Sequence, residues 1–112
     1  MKELCENLDE MISQNPTLIL QFGEDVCGAC HAIRFKLDKW MEGKHVEARY
    51  IDIPSNLELC SQMGILSAPA VMVYMDGKMV AKEAGYFSLD EMLGSVERYM
   101  ELRQEAKESN KS

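Results

Sequence analysis

The sequence predicts an α/β fold in which a four-stranded mixed sheet, in the strand order 2-1-3-4, is flanked by helices on both faces. Segments with helical spacing alternate with short apolar runs of strand length, in the order α-β-α-β-α-β-β-α. A helix between the first two strands makes a right-handed crossover, so these strands are expected to be parallel. Asp76-Gly77 separates the last two strands and is a strong hairpin signal, so that pair is expected to be antiparallel.

Length and composition predict one domain. The chain has 112 residues, 46% of them hydrophobic, which allows a single core without structural disulfides. We place the domain at residues 1–103 and a polar tail at 104–112. The 12 basic and 19 acidic residues give a net charge of −7, which argues against nucleic acid as a partner.

Hydropathy and the N-terminal sequence predict the compartment. No apolar run approaches the ~20 residues of a transmembrane helix, so no membrane partner is expected. Residues 1–7 are charged and lack the apolar segment of a signal peptide, so we expect a cytoplasmic protein. Because cytoplasmic thiols are kept reduced, the four cysteines are expected to be catalytic, metal-binding or buried.

The first half of the chain holds two predicted helices and two predicted strands. An amphipathic helix is predicted over residues 2–14, with Cys5 beside its apolar stripe and therefore expected to be buried. A buried strand follows at 17–22, then a helix at roughly 28–42, and then a strand at 46–53.

In the second half of the chain, a predicted capping box opens the first helix and another opens the last helix. Ser55 with Glu58 is expected to open a short helix through Met63, which carries a buried Cys60. Strands are predicted over 70–75 and 78–85. Ser88 with Glu91 is expected to open the last helix.

The candidate active site is Cys27-Gly28-Ala29-Cys30, between the first strand and the second helix. Cys27 would lie at the helix N-terminus, which favours the thiolate and a lowered pKa. Cys30 shares the inner stripe of that helix with Ile33 and Leu37, so it is expected to be buried. One exposed and one buried thiol at this spacing indicate a redox pair.

Four features together resemble the thioredoxin family over about residues 14–101. They are the Cys27–Cys30 motif after a strand, Pro69 before the third strand, the Asp76-Gly77 hairpin, and Gly85 ahead of the last helix. The resemblance implies a thioredoxin-like fold and a thiol–disulfide oxidoreductase that reduces or exchanges protein disulfides in cell redox homeostasis. Thioredoxin reductase or a small thiol would supply the electrons, and no bound cofactor or metal is needed.

The resemblance also implies roles for residues. Cys27 would be the nucleophile, and Cys30 the thiol that resolves the mixed disulfide. Pro69 would form a cis peptide bond facing the pair, and Ala68 would offer its backbone to an extended substrate. The substrate groove is expected to be lined by Val26, Gly28, Ala29, Ala68 and Pro69.

The chain departs from the family pattern where proton transfer matters. Val26 replaces a tryptophan, Gln21 a buried aspartate, and Ala48 the lysine that usually pairs with that aspartate. The first strand of a full thioredoxin is expected to be absent. Slower or differently tuned chemistry follows, because Cys30 must lose its proton in an apolar site and an amide cannot accept it.

Two side chains are candidates to compensate for the missing carboxylate. Glu24 precedes the motif, and His31 follows Cys27 by four residues on the same helix. A protonated His31 would stabilise a thiolate at Cys27. The alternative is a solvent-facing histidine without a role.

Three other functions are compatible with parts of the sequence. Cys27 to His31 also matches a c-type haem attachment motif, which would require export. Cys27, Cys30, His31 and Cys60 could contribute to a metal site, or two chains could hold an iron–sulfur cluster. A binding module or redox sensor with weak reductase activity would explain the altered positions 21, 26 and 48.

Overall fold

The computed structural model describes residues 1–109 of the chain. A five-stranded sheet and four helices make up the fold within these residues. In chain order the elements are β1 Lys2–Glu3, α1 Leu8–Gln14, β2 Thr17–Gly23, α2 Gly28–Met41, β3 Glu47–Asp52, α3 Leu57–Gln62, β4 Ala70–Met75, β5 Lys78–Ala84 and α4 Leu89–Ser109.

The sheet order is β1-β3-β2-β4-β5. Strand β2 is parallel to β3 and antiparallel to β4, and β5 returns antiparallel to β4. The predicted order of the four longer strands and the predicted directions of their pairing are therefore confirmed. β2 lies in the centre with every residue buried, as its apolar sequence predicts.

The core is divided by the sheet into two clusters. One cluster joins residues of α1 and α3 to the sheet, with Met11, Phe22 and Cys60 among its members. The other joins α2 and α4 to the opposite face, with Leu37, Val71 and Val96 among its members. Helices thus cover both faces, and no helix within residues 1–109 is long and apolar enough to cross a membrane.

The helix predicted over residues 2–14 is wrong in its first six residues. Lys2 and Glu3 form a short edge strand that pairs in parallel with Arg49 and Tyr50, so a first strand is present. The helix begins only at Leu8, because the Asn7 side chain accepts a hydrogen bond from the Glu10 N–H at 3.0 Å and caps it. A two-residue strand is too short to show any periodicity in the sequence.

This later helix start changes the environment of Cys5. The residue lies between β1 and α1 and is exposed, so the expectation that it would be buried is wrong. Cys60 is 1% exposed in α3, as predicted.

One of the two predicted capping boxes forms differently. Helix α3 begins at Leu57 after Asn56, and the Ser55 hydroxyl donates to the Asp52 carboxylate at 2.7 Å instead of capping the helix. Ser88 does cap α4, since its hydroxyl oxygen accepts from the Glu91 N–H at 3.2 Å. Ser55 was mispredicted because the same short polar side chain can also close a turn with a preceding aspartate.

Helix α4 continues to Ser109, past the expected domain boundary at residue 103. Residues 104–109 of the proposed polar tail are therefore helical, and the rest of that tail, residues 110–112, lies outside the described residues. The division into a domain and a tail stays a prediction.

Candidate functional site

The two motif cysteines form a disulfide at the N-terminus of α2. Their Cα atoms are 5.3 Å apart. Cys27 is the N-cap residue, and its Sγ accepts a hydrogen bond from the Cys30 N–H at 3.2 Å. An atom in that position faces the positive end of the helix dipole, which favours a thiolate there once the disulfide is reduced.

The two sulfur atoms have different surroundings. Cys27 is partly exposed, whereas Cys30 is 1% exposed and lies against the sheet. The turn between β2 and α2 fixes this difference, because the Cys27 N–H donates to the Glu24 carbonyl at 3.1 Å. One sulfur can therefore be reached from the surface, and the other is enclosed.

The Ala68–Pro69 peptide bond is cis, the geometry that the sequence analysis expected. Pro69 shares a shallow cavity of about 310 Å³ with Ala29 of the motif helix. Tyr86 and Lys36 also line this cavity, and neither was singled out from the sequence. The structure therefore brings two of the five predicted groove residues, Ala29 and Pro69, into one cavity, whereas Val26, Gly28 and Ala68 do not line it.

Exposed apolar side chains also occur in and near the segments that carry the motif and Pro69. Val26, directly before Cys27, is 89% exposed, and Tyr86 is fully exposed. Leu66, two residues before Ala68, is also exposed. Large exposed apolar side chains of this kind are typical of a surface that another protein covers.

The inner side of the site contains Gln21 where a carboxylate was expected from the family pattern. Gln21 is completely buried, and its Nε2 donates to the Cys30 carbonyl at 2.7 Å. Its Oε1 has no hydrogen-bond partner. Gln21 thus positions the first turn of α2 and offers a neutral acceptor, but it cannot take up a proton at Cys30.

A second inner residue, Tyr50, was missed by the sequence analysis. Tyr50 is the register partner of Gln21 across β2 and β3 and is only 7% exposed. A Cβ on Gly23 would lie 3.0 Å from Cys30 Sγ and would collide with the Tyr50 hydroxyl oxygen. The sulfur and the hydroxyl therefore line the same small space above Gly23.

Burial and nearby charges set the protonation of Tyr50. Burial and the Asp52 carboxylate raise the pKa of this phenol above its ordinary value of 10.0, and the Arg34 guanidinium partly opposes them. The Arg34 Cζ lies 4.7 Å from the centre of the Tyr50 ring. Tyr50 is therefore a neutral O–H donor at physiological pH.

Neither proposed substitute for the carboxylate is bonded to a sulfur atom. Nε2 of the exposed His31 lies 3.2 Å from the Asp25 carbonyl oxygen, across the turn. Glu24 contributes its backbone carbonyl to that turn, through the bond to Cys27. Roles for these two side chains in tuning the site stay predictions.

The ligands considered for a metal site are not brought together. Cys60 belongs to the core cluster on the α1–α3 face, and burial raises the pKa of its thiol. Within residues 1–109, no three His, Cys, Asp or Glu side chains are grouped so that they could hold a metal ion.

Comparisons with known proteins agree on one family. The family model described as "Thioredoxin" matches residues 2–98. A thioredoxin from Mycoplasmoides gallisepticum is 27% identical over 86 residues, which cover 76% of this chain and 86% of that protein.

Solved structures show the same fold. A mutant thioredoxin from Halobacterium salinarum superposes with a TM-score of 0.77 at 24% identity, with 88% of each chain covered. The oxidised thioredoxin of Plasmodium falciparum gives 0.71 at 25% identity, covering 88% of this chain and 97% of that one. The thioredoxin-like fold expected from the sequence is thereby confirmed.

Proposed function

The chain belongs to the thioredoxin family and is a thiol–disulfide oxidoreductase, and we propose that Cys27 starts each reaction and Cys30 completes it. The observation that carries this proposal is the unequal burial of the two sulfur-bearing residues across one disulfide. An exposed N-cap thiolate can reach a protein disulfide, whereas a buried thiol can reach only its neighbour.

The reaction then has two balanced steps. The Cys27 thiolate attacks one sulfur of a substrate disulfide, a mixed disulfide forms, and the other substrate sulfur leaves as a thiolate. That leaving thiolate takes up the proton released by Cys30. The Cys30 thiolate then attacks Cys27 Sγ, which closes the intramolecular disulfide and releases the second substrate sulfur as a thiolate.

The surface around Cys27 supports protein substrates. Val26, directly before the motif, and Tyr86, on the cavity that Ala29 and Pro69 line, present exposed apolar area, and that cavity can take a side chain of an extended segment. The predicted groove of Val26, Gly28, Ala29, Ala68 and Pro69 is extended in this proposal by Tyr86.

The reductase direction requires an electron donor that keeps the Cys27–Cys30 pair reduced. We propose thioredoxin reductase or a small thiol for this role, in the cytoplasm, where such donors maintain thiols. In graded thiol–disulfide buffers, a two-thiol transition near roughly −270 mV would support that direction, whereas one near about −180 to −120 mV would indicate an exchanger or sensor.

The roles of the two cysteines are tested by single substitutions. Reduction of a disulfide-bonded protein such as insulin is followed with dithiothreitol as the electron source. Cys27→Ser and Cys30→Ser should each lower the rate to that of dithiothreitol alone. Only Cys30→Ser should accumulate a mixed disulfide with the substrate, visible by mass on a non-reducing gel.

Cys5→Ser is the matched control, because Cys5 is exposed but far along the chain from the motif. It should retain wild-type activity. Full activity in either motif variant, or trapping by Cys27→Ser instead of Cys30→Ser, would contradict the assigned roles. Unchanged binding of a protein partner by the double variant would favour a binding module.

A further inference from the structure

We propose that Tyr50 stabilises the Cys30 thiolate during resolution of the mixed disulfide, by donating its phenolic hydrogen to the sulfur. This inference rests on the proposed roles of Cys27 and Cys30 and adds a residue to the second step. It gives the site a way to form a buried thiolate without a carboxylate beneath it.

The Tyr50 hydroxyl and Cys30 Sγ both lie close to Gly23. The position of a Cβ on this glycine is 3.0 Å from Cys30 Sγ and makes a still closer contact with the Tyr50 hydroxyl oxygen. The sulfur and the oxygen therefore border one small space above Gly23, and no hydrogen bond joins them while the Cys27–Cys30 disulfide is closed. Glycine at position 23 keeps this space open for a hydrogen bond.

The register between β2 and β3 places Tyr50 next to Gln21 and Gly23. Tyr50 and Gln21 are paired across β2 and β3, and Gly23 is paired with Asp52. These residues lie below the first turn of α2, which Gln21 holds through its bond to the Cys30 carbonyl at 2.7 Å. Gln21 Nε2 donates to that carbonyl and not to the sulfur, whereas the Tyr50 hydroxyl borders the same space as Cys30 Sγ.

The groups that act on the Tyr50 hydroxyl come from several elements. Asp52 on the same strand, Asp25 in the β2–α2 turn and Glu3 on β1 are negative, whereas Arg34 on α2 is positive. Together with burial, the carboxylates keep the phenol protonated. Tyr50 therefore keeps its proton throughout the reaction and shares it with the Cys30 thiolate.

The proton of Cys30 goes elsewhere. It passes to the substrate thiolate that left in the first step, so no side chain has to be a permanent base. A hydrogen bond to a charged group is stronger than one to a neutral group, so Tyr50 favours the thiolate over the thiol of Cys30. The bond is lost when the Cys27–Cys30 disulfide closes, because the sulfur is then neutral.

The test is the Tyr50→Phe variant, which removes the hydroxyl and keeps the ring. Attack and resolution are measured separately by rapid mixing of the reduced protein with a disulfide-bonded peptide, followed by acid quench and mass analysis. We expect attack by Cys27 to be unchanged and resolution to slow about tenfold or more at neutral pH. The midpoint of the resolution rate against pH should move to higher pH.

Tyr74→Phe is the matched control, because Tyr74 is a partly buried tyrosine that packs against the core cluster on the α1–α3 face of the sheet. Its resolution rate and pH profile should equal those of the wild type. Wild-type resolution in Tyr50→Phe, or an equal loss in Tyr74→Phe, would overturn the inference. A wild-type protein that forms no mixed disulfide would instead contradict the proposed roles of Cys27 and Cys30.

Discussion

The two sides of the α2 N-terminus are built from different chemistry. The outer side exposes apolar residues next to Cys27, with Val26 89% exposed, together with the polar side chains of Asp25 and His31. The inner side consists of Gln21, Gly23 and Tyr50, which are buried and polar or small. The outer side can change its contacts with little effect on folding, whereas the inner side is part of the core.

This difference shows how the family's reaction can be retained after its buried carboxylate is lost. The outer side needs only an accessible thiolate at a helix N-terminus. The inner side must stabilise a charge without water, and here it offers neutral hydrogen-bonding groups. Substitutions on the inner side should therefore change stability and the rate of resolution by Cys30, whereas substitutions on the outer side should change KM for protein substrates.

The largest effect is expected from filling the inner space at Gly23. Gly23→Ala places a methyl group against the Tyr50 hydroxyl and Cys30 Sγ, and neither can move freely because both are buried. Overpacking of this kind costs about 1–3 kcal/mol. Chemical denaturation should show that loss, and resolution by Cys30 should slow with it.

Gly94→Ala is the control for Gly23→Ala. Gly94 lies inside α4, and a Cβ there meets no atom within 4 Å. Because alanine is the better helix former, this variant should gain about 0.5–1 kcal/mol and keep wild-type redox rates. Equal stability of the two variants would show that the inner space is not tightly packed.

A smaller effect is expected from changing the outer side. Val26→Asp removes an exposed apolar side chain that a protein substrate would cover, worth about 1.5 kcal/mol or roughly tenfold in affinity. KM for a protein disulfide should rise by that factor, while the rate with a small aromatic disulfide and the denaturation midpoint stay unchanged.

Leu102→Asp is the control for Val26→Asp. It tests whether the loss of any exposed apolar side chain weakens substrate binding, or only the loss of one next to the motif. Leu102 is 54% exposed on α4, outside the cavity beside Pro69. Its substitution should leave KM for the protein disulfide at the wild-type value. A rise in KM equal to that of Val26→Asp would mean that Val26 has no special part in docking.

The smallest effect concerns a carboxylate outside the site. Arg49 donates to Glu6 through Nε and Nη2, at 2.9 and 2.5 Å, and these bonds hold the pKa of Glu6 well below its ordinary value of 4.5. A lowered pKa in the folded state stabilises the protein fully above about pH 4.5 and is lost as pH falls through the folded value.

Glu6→Gln should therefore be less stable than the wild type at pH 7, with the difference in melting temperature shrinking below pH 4.5. The difference should be small because Glu6 is partly exposed to solvent. The pH profile of resolution should not change. A shifted profile would mean that Glu6, and not only the inner side of the site, influences Cys30.

Sequence patterns predicted most of the fold because most elements carry strong local signals. The apolar β2 segment, the Asp76-Gly77 hairpin and the Ser88 cap all form as expected. Elements were mispredicted where a signal was short or ambiguous. Strand β1 has two residues, and Ser55 could cap a helix or close a turn.

The chemistry of the outer site was also accessible from local sequence. A Cys-x-x-Cys motif between a strand and a helix fixes one thiol at the helix end and turns the other inward, because both positions follow from the helical repeat. Nothing about the rest of the chain is needed for that conclusion. Cys27 and Cys30 occupy the expected environments.

The inner site was decided by pairing between distant segments. Gln21 and Tyr50 meet because β2 and β3 are parallel in one particular register, and a shift of one residue would turn Tyr50 to the opposite face. The same long-range assembly brings Tyr86 to the cavity beside Ala29. Local sequence therefore places the reactive sulfur atoms, while tertiary packing chooses the groups that surround them.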